Sequence, residues 1–101
     1  MIIYNVTVNI EKDVHDDWFE WIKAVHIPDV MKTGMFLEYK MLKVLADEDS
    51  DEHTYSIQYT CESIEQYRRY ETQYAPELRK DVQARYGTKF IAFRTLLEPV
   101  I

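Results

Sequence analysis

Four stretches that alternate with a period of two and two stretches with helical periodicity follow one another in the order β, α, β, β, α, β, and few folds accept that order. Residues 2–10 set the pattern: Ile2, Tyr4, Val6, Val8 and Ile10 fall on one side and Ile3, Asn5, Thr7 and Asn9 on the other, as in a strand. Helical spacing then takes over. At about 100° per residue, Val14, Trp18, Trp21, Ile22 and Val25 share one face while Asp16, Asp17, Glu20 and Lys23 lie largely opposite, so the first face must be buried. Asp13 is placed to cap this helix, because its carboxylate can accept from first-turn N–H groups. Pro28 lacks an N–H and disfavours helical geometry at Ile27; the pattern predicts a main helix ending near His26 and a short extra turn from Pro28, stopped by Gly34.

Alternation returns from Met35 to Leu45, with Leu37, Tyr39, Met41 and Leu45 against Phe36, Glu38, Lys40, Leu42 and Val44. The run ADEDSDE (46–52) can form no core and reads as a hairpin connection to a third strand, in which Tyr55, Ile57, Tyr59 and Cys61 alternate with Thr54, Ser56, Gln58 and Thr60. Ser63 with Gln66 matches a capping box and opens a second helix, whose Ile64, Tyr67, Tyr70, Tyr74 and Leu78 form a stripe. Pro76 should divide that run into pieces near 63–74 and 76–86, ended by Gly87. The last strand is Thr88 to Leu97, apolar on both sides. Two βαβ halves joined by a hairpin give an α+β, ferredoxin-like fold: one domain over residues 1–101, with a four-stranded antiparallel sheet and both helices on one face.

Composition narrows the function classes. Of the 101 residues 47% are hydrophobic, enough for a modest core, and the formal charge of -6 comes mostly from Asp47, Glu48, Asp49, Asp51 and Glu52. An acidic total without a basic cluster argues against nucleic acid, which is bound through Lys and Arg on phosphates, and against a membrane surface. The single Cys61 excludes an internal disulfide, and the alternating N-terminal MIIYNVTVNI is unlike a leader, which suggests a cytoplasmic protein. Gly34 and Gly87 are the only glycines, so no phosphate loop is available, and no Ser or Cys sits in a nucleophile motif; no cofactor is expected.

If the helices cover the row containing Tyr4, Val6, Tyr39, Ile57 and Tyr59, the other face of the sheet shows Asn5, Thr7, Asn9, Ser56, Gln58 and Thr60. Those six are polar and uncharged, and Phe36, Leu42 and one side of TKFIAFRTLL flank them with apolar surface too extensive to leave in water. Packing on a second copy covers it. The expected partner is therefore the same chain, as a homodimer through the sheet face.

MIIYNVTVNI, the pair Trp18 and Trp21, HIPDVMKTG from His26 to Gly34, and FRTLLEP from Phe93 to Pro99 together resemble the domain of unknown function 4286 family of small bacterial proteins. The resemblance spans nearly the whole chain. It implies a ferredoxin-like fold that pairs into a dimeric α+β barrel, as in antibiotic-biosynthesis monooxygenases and muconolactone isomerases, and it implies no particular activity. In that wider superfamily the space between helices and sheet often serves as a small-molecule cleft.

His26 is the candidate catalytic residue: an imidazole beside a helix break, with Asp29 three residues on. The alternative is a histidine that satisfies backbone groups freed by Pro28. Arg94 interrupts an apolar strand, so it either pairs at the dimer rim with an acid such as Glu38 or holds an anionic ligand. No metal site is expected. His15 and His26 are eleven residues apart, about 16 Å along a helix, and the acids at 47, 49 and 51 lack the glycine and glutamate of a calcium loop, Glu52 and Gln58 standing there instead. His53 reads as an exposed neighbour of that loop.

Two functional expectations result. One is a non-catalytic or ligand-sensing dimer binding a small apolar or aromatic molecule between helices and sheet, with Trp18, Trp21, His26, Tyr39, Tyr59 and Arg94 as the lining. The other is a cofactor-independent enzyme of monooxygenase or isomerase type, with His26 as general base and Tyr39, Tyr59 or Arg94 polarising the substrate.

Overall fold

The alternating N-terminal segment becomes β1 (Ile2–Glu11), the longest strand together with β3 (Glu52–Cys61), and these two pair antiparallel at the centre of the sheet from Ile2↔Cys61 to Glu11↔Glu52. The computed structural model describes residues 1–45 and 52–101. The acidic hairpin connection falls on 46–51, outside the described residues. Strand β2 (Glu38–Lys43) flanks β3, and β4 (Phe90–Leu97) flanks β1, so the sheet order is β2-β3-β1-β4 with every pair antiparallel. That order, with helices after β1 and β3, is the ferredoxin-like α+β arrangement.

All helices lie on the face that carries Tyr4, Val8, Ile10, Tyr55, Ile57, Tyr59 and Cys61, which are buried with Trp18, Ile22, Ile27 and Val30 of the first helical segment and Tyr70, Ala75 and Tyr86 of the second. The first segment differs from the sequence expectation in two ways. A 3-10 turn (Lys12–Val14) precedes α1 (His15–Trp21), and Asp13 caps nothing: its Oδ2 accepts from Lys89 Nζ at 2.9 Å, tying the β1 end to the start of β4. Nor does Pro28 end the helix. A π turn (Ile22–His26) lets Ile27 N–H bond to Ile22 O and keeps Ile27 helical at φ −60° and ψ −45°, so the helix runs on as α2 (Ile27–Lys32).

The reason is geometric. Proline lacks the N–H for an ordinary helical bond and its ring crowds the carbonyl four residues back, and a single wide turn relieves both. The extra residue rotates everything after it. The buried series becomes Trp18, Ile22, Ile27 and Val30, while Val25, expected inside, is 41% exposed.

Strand β2 begins later than the alternation suggested, and the chain before it swings Phe36 under the helices. Phe36 is buried, with its ring 4.7 Å from Tyr70 and 5.2 Å from Tyr59, rather than on the outer sheet face. The second helical segment divides as expected at Pro76. Ser63 Oγ accepts from Gln66 N–H at the start of α3 (Ile64–Gln73), and α4 (Ala75–Tyr86) follows and ends at Gly87, whose φ of +57° suits glycine. A 3-10 turn (Gly87–Lys89) leads into β4. Among the described residues no helix is long and apolar enough to cross a membrane.

The uncovered face has a paired polar centre. Gln58 donates to Ser56, Ser56 to Asn5 and Asn5 to Thr7, and Asn9 donates to Thr54. Around it Leu42, Ile91, Phe93 and Leu97 stand between 41% and 65% exposed.

Candidate functional site

The inner face of β4 presents Phe90, Ala92, Arg94 and Leu96, each directly opposite Ile10, Val8, Val6 and Tyr4 of β1. Ala92 is the one small side chain in that row, and α4 stands off β4 across it. The result is an open cleft of about 450 Å³ walled by Pro76, Arg79, Lys80 and Gln83 on one side and Phe90, Ala92 and Arg94 on the other. Behind it, deeper between helices and sheet, lies a cavity of about 60 Å³ that shares Arg79, Phe90, Ala92 and Arg94 with the cleft. A buried water needs roughly 10–15 Å³ of such space, so the inner cavity has room for a few waters or one flat substituent, and the cleft is the larger space.

Four of the six residues named from sequence line the inner cavity: Trp18 from α1, His26 from the π turn, Tyr59 from β3 and Arg94 from β4. The other two do not. Trp21 faces away from it, stacked on the His26 ring at 5.5 Å and met edge-on by Tyr86, and Tyr39 sits on the edge strand β2, 51% exposed. Arg94 does not pair with Glu38. Those residues lie on opposite edges of the sheet and on opposite faces, and Arg94 Nε donates instead to the Tyr4 hydroxyl at 3.2 Å.

Burial pushes the His26 imidazole down to about 4, against the pull of Asp29 and Asp81 and with the help of Arg94. It is therefore neutral near pH 7. Its ring makes no hydrogen bond to a described residue, so it does not serve the backbone freed by Pro28; the π turn does that. Tyr59 is also kept in its neutral form, because burial raises its hydroxyl far above the ordinary phenol value.

A network that sequence reading did not find borders the cavity. Arg79 donates twice to Glu71, at 2.6 and 2.8 Å, and once to the Tyr4 hydroxyl at 3.1 Å, while Tyr67 donates to Glu71 at 2.8 Å. The hydrogen bonds from Arg79 hold the Glu71 carboxyl below its usual range. The signal was present: Ala75, Arg79, Val82 and Tyr86 recur at helical spacing, which points one guanidinium inward among apolar neighbours.

A second cluster lies near the start of β3. The His15 and His53 rings meet tilted by 32° with centroids 4.0 Å apart, and His15 also contacts the Tyr55 hydroxyl at 2.7 Å and Asp16 at 2.9 Å. His53 is half-buried, not simply exposed as the sequence suggested. Residues 53, 55, 57 and 59 share the inner side of β3, and that parity could have placed it. Among the described residues no group of three or more His, Cys, Asp or Glu is arranged to hold a metal ion.

A family model described as domain of unknown function (DUF4286) matches residues 1–100. No curated protein matches the chain. Solved structures do. An ethyl tert-butyl ether d (EthD) family protein from Bacillus halodurans has a TM-score of 0.70 at 13% identity, over 99% of this chain and 100% of that one. A dimeric ferredoxin-like protein from an uncultured marine organism has a TM-score of 0.71 at 11% identity, over 100% and 96%. SnoaB, a cofactor-independent oxygenase from Streptomyces nogalater, has a TM-score of 0.65 at 13% identity, over 99% and 94%. Likeness at such identities shows the fold alone.

Proposed function

The chain belongs to the DUF4286 family, and from that premise we propose that it is a self-associating protein that binds a small molecule between its helices and its sheet. One observation carries the reading: Trp18, His26, Tyr59 and Arg94, contributed by four separate elements, line one cavity that opens through a cleft between α4 and β4. Aromatic and aliphatic walls with a few convergent polar groups are the usual make-up of a ligand site. Self-association is supported by the exposed Leu42, Ile91, Phe93 and Leu97 around an internally paired polar centre, and by the dimeric ferredoxin-like neighbour. A homodimer formed through that outer face leaves the α4–β4 cleft on the other side of the sheet, where it stays open to solvent.

A ligand-observed NMR screen of aromatic fragments, run on the parent and on Ala92→Phe, tests the reading. Hits that the parent binds and Ala92→Phe loses support it. An absence of hits, or hits untouched by filling the cleft, contradicts it.

The convergence of His26, Tyr59 and Arg94 also supports a second reading, a cofactor-independent enzyme in which His26 removes a proton and Arg94 stabilises the charge that develops. The oxygenase neighbour shares this fold. Against it, an imidazole pushed down to about 4 is free of its proton at neutral pH but is a weak base, and general bases work best with values near the working pH.

A further inference from the structure

The charges around the cleft are unbalanced in one direction. Its walls carry Arg79, Lys80 and Arg94 and no acid. Glu71 occupies Arg79 through two hydrogen bonds, and Lys80 leans on Glu77 at the exposed surface. Arg94 is left over. Among the described residues it has no carboxylate within ion-pair distance, and its one hydrogen bond, from Nε to the Tyr4 hydroxyl, leaves both terminal nitrogens of the guanidinium unused.

Its position makes that surplus informative. Arg94 lies on the inner face of β4 between Ala92 and Leu96 and opposite Val6, at the junction of the open cleft and the apolar cavity. Arg94 is exposed there, so its terminal nitrogens are within reach of a ligand that enters the cleft from solvent. The Tyr4 hydroxyl gives a second sign. It is buried and accepts from both Arg79 and Arg94, so its own proton points away from the two cations and has no acceptor among the described residues. A guanidinium with free N–H groups and a phenol with an unspent O–H thus converge beside the same space, and what completes both is an anionic oxygen.

Building on the reading of the cleft as a ligand site, we infer that its ligand is a monoanion: an apolar, flat body carrying one acidic group, such as a carboxylate, sulfonate or enolate, whose oxygen pairs with Arg94 while the body lies against Phe90 and Ala92. One unpaired cation matches one negative charge. The neutral imidazole of His26 adds a hydrogen-bonding group and no competing charge.

The test uses two dyes with the same arylamine body, 8-anilino-1-naphthalenesulfonate and the uncharged N-phenyl-1-naphthylamine. Their affinities are measured by fluorescence on the parent, Arg94→Gln, Arg94→Lys and Ala92→Phe, with circular dichroism to verify folding. The parent should bind the sulfonate at least about ten-fold tighter than the neutral dye, the value of one charge-assisted contact. Arg94→Gln should erase that preference and leave the neutral dye unchanged, Arg94→Lys should keep part of it, and Ala92→Phe should weaken both dyes. The preference should also shrink as salt is raised, which needs no variant. Equal affinities in the parent, or a preference that survives in Arg94→Gln or in high salt, overturn the monoanion inference while leaving the cleft as a site for neutral ligands. Neither dye binding, or binding indifferent to Ala92→Phe, overturns the cleft reading and the inference together.

Discussion

Arg94 reaches diagonally across the sheet to Tyr4, Nε donating to the phenol oxygen at 3.2 Å, although Arg94 is directly opposite Val6 and Tyr4 is opposite Leu96. Long side chains span such diagonals between neighbouring strands. The contact fastens the edge strand β4 to the middle of the core, because the Tyr4 ring is packed against Phe36, Tyr59, Tyr67 and Tyr70. It also fixes the guanidinium at the entrance of the cavity.

Tyr4→Phe keeps that ring packing and removes one oxygen that two guanidinium groups use. Losing an acceptor shared by the half-buried Arg79 and the exposed Arg94 should cost about 1 kcal/mol in urea unfolding. A variant as stable as the parent would mean that solvent already satisfies both arginines.

His26 sets a pH dependence whose sign follows from its burial. Its folded value, about 4, lies below the ordinary 6.5, so the unfolded chain takes up the proton first as pH falls. The contribution of the neutral ring is complete above about pH 6.5, is lost between there and pH 4, and amounts to at most about 3 kcal/mol. His26→Ala should show a smaller loss of urea stability between pH 7 and pH 4.5 than the parent does. At pH 7 the substitution itself should cost little, since the ring gives up stacking on Trp21 and no hydrogen bond to a described residue. Identical losses in the two proteins would mean that His26 titrates as if in water.

At the other end of the sheet, burial and then the adjacent His15 and Lys43 hold His53 below the usual imidazole range. Replacing His15 with Gln removes one of those neighbours, and the His53 value read by NMR titration should move up toward normal. No movement would show that the contact between the two rings is not maintained in solution.

Much of this fold was legible because the two faces of the sheet differ in kind. Tyr4, Val8, Tyr55 and Ile57 alternate with Asn5, Asn9, Thr54 and Ser56, and a one-residue slip would exchange core for surface, so β1 and β3 admit one register. The division of the second helix at Pro76 was legible for an equally local reason. Pro28 was not, because a proline can be met by a break or by a wide turn, and the choice depends on whether Ile27 and Val30 gain burial by continuing. Alternation in the sequence runs on past the true start of β2 and so sets Phe36 on the wrong face, and Asp13 resembles a cap although a lysine 76 positions away claims it. In the site, Trp18, His26, Tyr59 and Arg94 stood out as residue types at conspicuous places. Glu71, Arg79 and Tyr67 did not, since their partnership with Tyr4 exists only after the helices have packed on the sheet.

The outer face should hold two copies together. Light scattering at micromolar concentration should give twice the chain mass for the parent and the single mass for Phe93→Asp, which sets a charge in the middle of the exposed apolar row of β4. A monomeric parent, or a dimer indifferent to Phe93→Asp, would place the contact elsewhere or remove it.

The central claim is that the space between α4 and β4 receives a small molecule, and a crystal structure of the protein with a bound fragment from the NMR screen tests it most directly. The expected result is ligand density against Phe90 and Ala92, with a polar atom of the ligand within hydrogen-bond distance of Arg94 and a substituent directed toward Trp18, His26 and Tyr59. Density confined to the outer sheet face, or an α4–β4 cleft holding only water at saturating fragment, would contradict it.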